Sequence, residues 1–103
     1  MDFVAITSCP AGLAHTPMAA KALEKAAEEL GLVAKVEQQG SMGLVNEISL
    51  SEAQSAKFLL IGSDQKIEKM ERFEGKPTIR VDITTCIKSP KAVIQKCLKV
   101  VNK

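Results

Sequence analysis

The fold is decided near the amino end of the chain, by DFVAIT at residues 2–7 followed by SCPAG at residues 8–12. The first stretch is apolar and rich in branched side chains, which predicts a buried β-strand. Proline and glycine then interrupt the pattern and predict a loop. Thr16-Pro17 predicts the start of a helix, with Thr16 as the N-cap and proline at the first helical position, where its missing N–H costs nothing. The chain therefore opens with a strand, a short loop and a helix.

The rest of the chain continues this alternation of strands and helices. The first predicted helix is amphipathic, with apolar side chains at spacings of three and four, and Gly31 ends it. Ser49 and Glu52 form a capping-box pattern that predicts a short helix to about residue 56. The other predicted elements are strands at residues 32–37, 58–62 and 78–83, a loop at 38–46, a short helix at 66–73 and a helix that begins at Ser89-Pro90.

This order predicts an α/β fold, a four-stranded parallel sheet with helices on both faces in a doubly wound, Rossmann-like arrangement. Right-handed crossovers leave few topologies, and the simplest has the strand order 2-1-3-4. Ligands in such folds bind beyond the carboxyl ends of the strands where the order reverses, here between the first and third strands. The loop at that point spans residues 8–15 and contains Cys9. We expect residues 1–103 to form a single domain.

The composition argues against several classes of protein. The only aromatic residues are three phenylalanines, too few for a single-strand nucleic-acid platform, and a formal net charge of +2 is too small to indicate a polyanionic partner. No apolar run or signal peptide predicts membrane insertion. Three widely spaced cysteines and one histidine fit a reducing cytosol and argue against a disulfide scaffold or a zinc site. Glycine motifs for dinucleotides or nucleoside triphosphates are missing, and we expect neither cofactor nor metal.

Cys9 is the predicted nucleophile because of its place between a strand and a helix. Free backbone N–H groups and the positive end of the helix dipole favour an anion there, and therefore thiolate over thiol. The small residues Ala11, Gly12 and Ala14 would let the backbone close around a tetrahedral dianion, and a phosphoryl group fits that description. The alternative is that Cys9 is a buried small hydrophobe, as most free cysteines are.

The spacing from Cys9 to His15-Thr16 gives the pattern C-x5-H-T. Cysteine phosphatases use C-x5-R followed by a hydroxyl residue, so the loop length matches but the guanidinium that stabilises the phosphoryl oxygens is missing. The pattern therefore favours a phosphoryl carrier. Two rival functions stay open, a low-molecular-weight tyrosine-phosphatase-like hydrolase and a non-catalytic anion-binding regulatory domain.

The same residues resemble the phosphorylation-site signature of the fructose-type enzyme IIB component of the bacterial phosphoenolpyruvate-dependent sugar phosphotransferase system (PTS). The resemblance rests on the string Cys9-Pro10-Ala11-Gly12-Leu13-Ala14-His15-Thr16, on Met18-Ala19-Ala20 and Ala22-Leu23, on Glu37-Gln38-Gln39-Gly40 with Gly43, and on Arg72-Phe73-Glu74-Gly75-Lys76. Three positions depart from the family pattern. Ala11 and Gln38 stand where threonine is usual, and Pro17 stands where an aromatic residue is usual.

This resemblance implies that Cys9 accepts a phosphoryl group from a phosphohistidine on an enzyme IIA partner and passes it to a sugar held by the membrane component, enzyme IIC. The sugar would be fructose or a related hexose, which the sequence does not specify. The resemblance further implies a cytoplasmic protein held at the inner face of the membrane by its partner. The implied phosphate-binding loop consists of Pro10, Ala11, Gly12, Leu13, Ala14, His15 and Thr16.

The remaining candidate residues each have two interpretations. His15 is a loop-closing residue and phosphate donor, or it only packs at the helix start, and a phosphohistidine role is disfavoured. Gly40 and Gly43 shape a loop beside the site, or they form an ordinary turn. Arg72 and Phe73 contact a partner, or they are a solvated charge beside a core ring. Cys86 and Cys97 fall on apolar stripes, which predicts unreactive core residues.

Overall fold

The computed structural model describes residues 1–8, 15–40, 43–63 and 66–101. In chain order the elements are β1 (Phe3–Ser8), α1 (His15–Glu29), β2 (Ala34–Gly40), β3 (Gly43–Val45), α2 (Leu50–Ser55), β4 (Leu59–Gly62), a 3-10 helix (Met70–Phe73), β5 (Thr78–Val81), α3 (Ile83–Lys88) and α4 (Pro90–Val101).

One sheet of five strands organises the fold, in the order β3-β2-β1-β4-β5. The strands β2, β1, β4 and β5 are parallel, and they correspond to the predicted strands two, one, three and four. The predicted α/β class and the order 2-1-3-4 of the parallel strands are therefore confirmed. The order reverses at β1, which has β2 on one side and β4 on the other.

The predicted count of four strands is wrong, because residues 38–46 do not form only a loop. β2 continues to Gly40, and β3 returns antiparallel beside it, with Gln38 opposite Val45 and Gly40 opposite Gly43. Gly43 has φ +95°, a conformation that favours glycine. The local pattern did not reveal this hairpin because its polar strand residues are held by contacts with distant segments.

Three other boundaries differ from the predictions. The strand predicted at residues 78–83 ends at Val81, and α3 follows as an additional helix. The helix predicted at residues 66–73 is only the 3-10 turn Met70–Phe73. α1 begins at His15, so Thr16 lies inside its first turn and is not the N-cap. The preference of Thr and Pro for a helix start therefore located the first turn but not its first residue.

Two apolar clusters cover the two faces of the sheet. On one face, α1, α3 and α4 pack through Ala, Leu, Val and Cys side chains onto alternate residues of the strands, and the rings of Phe3 and Phe58 stack at 5.1 Å between centroids. On the other face, α2 and the 3-10 helix cover Val4, Ile6 and Ile61. β4 is buried along its whole length, as a central parallel strand requires.

Both remaining helix predictions are confirmed. The side chain of Ser49 accepts a hydrogen bond from the Glu52 N–H, and the Glu52 carboxylate accepts one from the Ser49 N–H, which completes the capping box at the start of α2. α4 begins at Pro90 and buries Val93, Ile94 and Cys97.

Candidate functional site at the carboxyl edge of the sheet

The four parallel strands end along one edge of the sheet. Ser8 lies opposite Gln39 of β2, while Thr7 lies opposite Gly62, and Gly62 opposite Val81. The chain leaves β1 after Ser8 and enters α1 at His15, so the predicted nucleophile belongs to the connection between them. Cys9 and the predicted loop residues Pro10, Ala11, Gly12, Leu13 and Ala14 lie outside the described residues.

A buried hydrogen bond joins the two elements on either side of that connection. The Thr7 hydroxyl donates to the backbone carbonyl of Thr16 over 3.0 Å. Thr7 is fully buried, and Thr16 is 2% exposed. This bond fixes the end of β1 to the first turn of α1, and it therefore fixes the distance that the connecting residues must span.

The end of β4 comes unusually close to its neighbours. A side chain at Gly62 would place its Cβ 3.1 Å from Cys86 Sγ and 3.5 Å from Thr7 Cγ2. Glycine therefore allows the end of β4 to approach Cys86 of α3 closely. Beyond Gly62, the buried Ser63 accepts a hydrogen bond at its carbonyl from Arg80 Nη1 over 3.1 Å. This contact holds the ends of β4 and β5 together.

Glu37 forms an ion pair inside the protein, on the face of the sheet covered by α2 and the 3-10 helix. Its side chain has no exposed surface and pairs with Arg72, whose side chain is 9% exposed. The guanidinium donates from Nη1 to Oε1 over 2.7 Å and from Nη2 to Oε2 over 3.1 Å. Arg72 also donates to the carbonyls of Ile48 and Lys69, each at a shorter distance than 3 Å.

The Glu37 carboxylate has enough partners to stay ionised in this buried position. Burial opposes its ionisation, but hydrogen bonds from Arg72, Gln39 and the Ile48 N–H outweigh that effect and hold the pKa of Glu37 below its usual value. The bond from Ile48 measures 2.8 Å. Because both charges are paired and hydrogen-bonded, neither is left uncompensated in the interior.

Gln39 extends this network towards the segment that follows β4. Its side-chain N–H groups donate to Glu37 over 2.7 Å and to the Glu68 carbonyl over 3.1 Å, and its Oε1 accepts from the Glu68 N–H over 2.9 Å. Gln39 is 6% exposed. A single amide side chain therefore holds both polar groups of the Glu68 backbone.

The other predicted site residues lie in different surroundings. His15 is the first residue of α1, and Gly40 and Gly43 are the paired residues that begin and end the β2–β3 turn. Phe73 is 3% exposed, and the Arg72 guanidinium carbon lies 4.7 Å from the centre of its ring. Arg72 and Phe73 therefore face the interior, where they hold β2 and the 3-10 helix together.

The other two cysteines are buried thiols. Cys86 has no exposed surface, and Cys97 is 1% exposed. Burial raises the pKa of each thiol to about 11. Both are therefore protonated and shielded at neutral pH.

Sequence reasoning missed the roles of Thr7, Glu37, Gln39 and Arg80. Two signals were available. Glu37 lies in the predicted second strand of a sheet expected to be covered on both faces, and both Glu37 and Gln39 belong to the string on which the family resemblance rests. Over the described ranges, no group of three or more His, Cys, Asp or Glu side chains lies close enough together to hold a metal ion.

Comparison with known proteins identifies the family. A family model described as the lactose/cellobiose-specific IIB subunit of the PTS system matches residues 4–96. The chain belongs to the PTS IIB family. The resemblance to a PTS IIB component is therefore confirmed, and the relatives below confirm the fructose type.

Several relatives of this IIB protein are named as fructose-specific or fructose-like components. It is 45% identical over 93 residues to the PTS system fructose-like EIIB component 2 of Escherichia coli K12, a match that covers 90% of this chain and 88% of the relative. It is 41% identical over 95 residues to the fructose-specific EIIABC component of Bacillus subtilis, covering 92% of this chain but 15% of that longer protein. The chain is thus a fructose-type EIIB domain, a class of sugar phosphotransferase domain.

Solved structures agree with this assignment. A domain from the fructose-specific IIABC component of Borrelia burgdorferi superposes with a TM-score of 0.88 at 35% identity, covering 95% of this chain and 93% of that domain. The enzyme IIB subunit of the PTS system from Escherichia coli K12 gives a TM-score of 0.89 at 33% identity, covering 98% of this chain and 94% of that one. Among the helices that the structure describes here, none is both long and apolar enough to cross a membrane.

Proposed function

We propose that this IIB domain is a phosphoryl carrier that uses Cys9 as its nucleophile. The observation that carries the proposal is the place of residues 9–14, which connect β1 to α1 at the strand-order reversal of a doubly wound sheet. Ligands of this fold class bind at that point, and the amino end of α1 favours an anion. The C-x5-H-T string that resembles the family signature occupies the same segment.

Two phosphoryl transfers follow from this assignment. In the first, the Cys9 thiolate attacks the phosphorus of a phosphohistidine on enzyme IIA, the S–P bond forms, the P–N bond breaks, and the imidazole leaves with the bonding electron pair. In the second, a sugar hydroxyl attacks the phosphorus and the O–P bond forms while the S–P bond breaks. The hydroxyl proton passes to a nearby base or water, and the Cys9 thiolate leaves with the bonding electron pair. The backbone N–H groups of residues 11–16 stabilise the charge on the phosphoryl oxygens.

The partners are enzyme IIA as donor and the membrane component IIC, with its bound sugar, as acceptor. The names of relatives support this, since an EIIABC component joins A, B and C parts in one protein and an EIIB'BC component joins B and C parts. The names of those relatives include fructose and 2-O-α-mannosyl-D-glycerate, and we propose fructose or a related sugar as the acceptor. Such a carrier works in the cytoplasm at the inner face of the membrane.

The turn between Gly40 and Gly43 is proposed as a loop neighbouring the site, because β2 ends beside β1 at the same sheet edge. Arg72 and Phe73 lie in the interior, where Arg72 pairs with Glu37 of β2 and packs on the Phe73 ring. The burial of both side chains argues for a structural contribution and against a direct contact with either partner.

The experiment is to incubate the protein with phosphorylated enzyme IIA, trap the adduct at neutral pH, and locate the phosphate by mass spectrometry. Wild-type protein should carry one phosphate, on Cys9. Cys9→Ser should lose sugar phosphorylation and keep a near-native melting temperature, because serine is close to cysteine in size. Cys97→Ala is the matched control, since it removes a buried thiol of α4 and should transfer normally.

Other outcomes would contradict the role of Cys9 or support one of the two rival functions. Phosphate on a residue other than Cys9, or full transfer by Cys9→Ser, contradicts the assignment. Rapid turnover of aryl phosphates with no transfer to sugar would support the phosphatase-like hydrolase. Anion binding with neither reaction would support the regulatory domain.

A further inference from the structure

The buried amide of Gln39 lies beside the residue that precedes the proposed nucleophile. Gln39 is opposite Ser8 in the parallel pairing of β1 with β2. Alternation along β1 places Ser8 on the same face as Val4 and Ile6, the face where Glu37 and Gln39 also lie. Ser8 is 7% exposed and Gln39 is 6% exposed, so the two side chains share a closed part of the structure.

The Gln39 amide has no freedom to rotate in this position. Its N–H groups are taken by Glu37 and the Glu68 carbonyl, and its oxygen is taken by the Glu68 N–H. Glu37 is itself fixed by two hydrogen bonds from Arg72. The network therefore ties the carboxyl end of β2 to the chain that follows β4, and these are the two strands that flank β1.

We propose that Gln39, held by Glu37 and Arg72, is a positioning residue for Cys9. It holds the end of β2, opposite Ser8, against the segment that follows β4, and Ser8 is the residue that precedes Cys9 in the chain. This inference rests on the proposed role of Cys9. It assigns to a buried polar network a function in phosphoryl transfer, in addition to its contribution to stability.

Burial determines which kinetic parameter this network can affect. Glu37 has no exposed side-chain surface and Arg72 only 9%, so neither side chain offers an incoming protein a surface to contact. A partner should therefore bind equally well whether the network is intact or not. Loss of position should instead slow the chemical step, because displacing a reacting group by 1 Å costs up to roughly 10²-fold in rate.

The test replaces Gln39 by methionine, which has a similar length and no hydrogen-bonding amide. For Gln39→Met we expect kcat for phosphorylation by phosphorylated enzyme IIA to fall about tenfold, with KM for enzyme IIA unchanged within about twofold. We also expect the rate of Cys9 alkylation by iodoacetamide, measured as a function of pH by peptide mass spectrometry, to differ between Gln39→Met and the wild type. Cys86 and Cys97 will not interfere, since both are buried and their pKa values are about 11.

The matched control is Lys35→Met on the same strand. Lys35 forms an ion pair of 2.8 Å with Glu52 on the same face, but it lies opposite Val4 in the amino half of the strand, away from Cys9. All proteins are compared at a temperature where each is folded by circular dichroism. A role in stability alone predicts that both variants lower the melting temperature and that neither changes kcat or the alkylation profile.

Arg72→Lys is the second variant, in case Gln39→Met does not fold. It keeps a positive charge beside Glu37 but loses the two-pronged contact, so its effect should have the same direction and smaller size. Wild-type rates and an unchanged Cys9 alkylation profile in the folded variants would overturn the proposal. Because alkylation needs no phosphoryl donor, an altered profile in a protein that accepts no phosphate would uphold the positioning role while refuting the proposed function.

Discussion

At the scale of single residues, Thr7 shows how one side chain organises the site. Its hydroxyl donates to the carbonyl of Thr16, nine positions along the chain, and its methyl lies beside Gly62, 3.5 Å from where a Cβ would be. Thr7 therefore contributes a hydrogen bond from its hydroxyl to α1 and a van der Waals contact from its methyl to β4. Serine could supply only the first and valine only the second.

Replacing Thr7 tests this division. Thr7→Val should lower stability by about 1 kcal/mol, the typical contribution of one hydrogen bond, and should slow phosphorylation, because the ends of β1 and α1 are no longer joined. Thr7→Ser keeps the donor and should restore most of the rate. Thermal denaturation and transfer from phosphorylated enzyme IIA measure the two effects, and a Thr7→Val protein with wild-type transfer would exclude a role for the bond.

At the scale of elements, the ion pair of Glu37 and Arg72 joins β2 to the 3-10 helix. Neither element has a sequence that would stabilise it in isolation. β2 carries charged and amide side chains, and the 3-10 helix has four residues and no side-chain hydrogen bond at its N-cap. The ion pair links them, since each supplies the opposite charge that the other needs when buried.

Glu37→Gln should therefore be strongly destabilising and should change the response to acid. Removing one partner of a buried ion pair costs about 3–5 kcal/mol, because the other charge is left unpaired. The folded-state pKa of Glu37 lies below its ordinary value of 4.5, so its ionisation stabilises the fold above that pH, and the stabilisation is lost as the pH falls through the folded-state pKa.

Urea denaturation between about pH 3 and 6 measures this, the window being set by the ordinary and lowered values of the carboxyl group. The wild-type free energy of unfolding should fall as the pH decreases below 4.5, and that of Glu37→Gln should fall less steeply. Equal slopes for the two proteins would show that Glu37 does not contribute to acid sensitivity.

At the scale of the whole molecule, a single sheet supports two separate apolar clusters. β4 supplies both, with Leu60 in the cluster under α1, α3 and α4, and Ile61 in the cluster under α2 and the 3-10 helix. Neither cluster can lose its packing without disturbing the strand that the other also uses. We therefore expect the molecule to unfold as one unit.

Two neighbouring substitutions test this cooperativity. Leu60→Ala and Ile61→Ala should each lower the free energy of unfolding by about 2–5 kcal/mol, the usual cost of emptying a buried site. Each variant should still show one urea transition by circular dichroism. A second transition in either protein would mean that the two faces unfold independently.

The local sequence pattern was enough to predict the parallel strands of the sheet. The branched apolar run of β1, the interruption at Pro10 and Gly12, and the capping-box pattern at Ser49 are each visible within a few consecutive residues. Burial of β4 on both faces is likewise visible as a continuous apolar run. From these, the order of the parallel strands and the position of the Cys9 connection could be predicted.

What the sequence alone determined is thus the strand–loop–helix opening, the alternation that makes a doubly wound sheet, and the resemblance of residues 9–16 to a PTS IIB signature. Tertiary structure decided the β2–β3 hairpin, the additional helix α3 and the interior place of Arg72. The partner of that arginine, Glu37, is 35 residues away. The physical reason is that periodicity reports how one segment is buried, whereas a buried polar group is placed by whichever distant segment satisfies its hydrogen bonds.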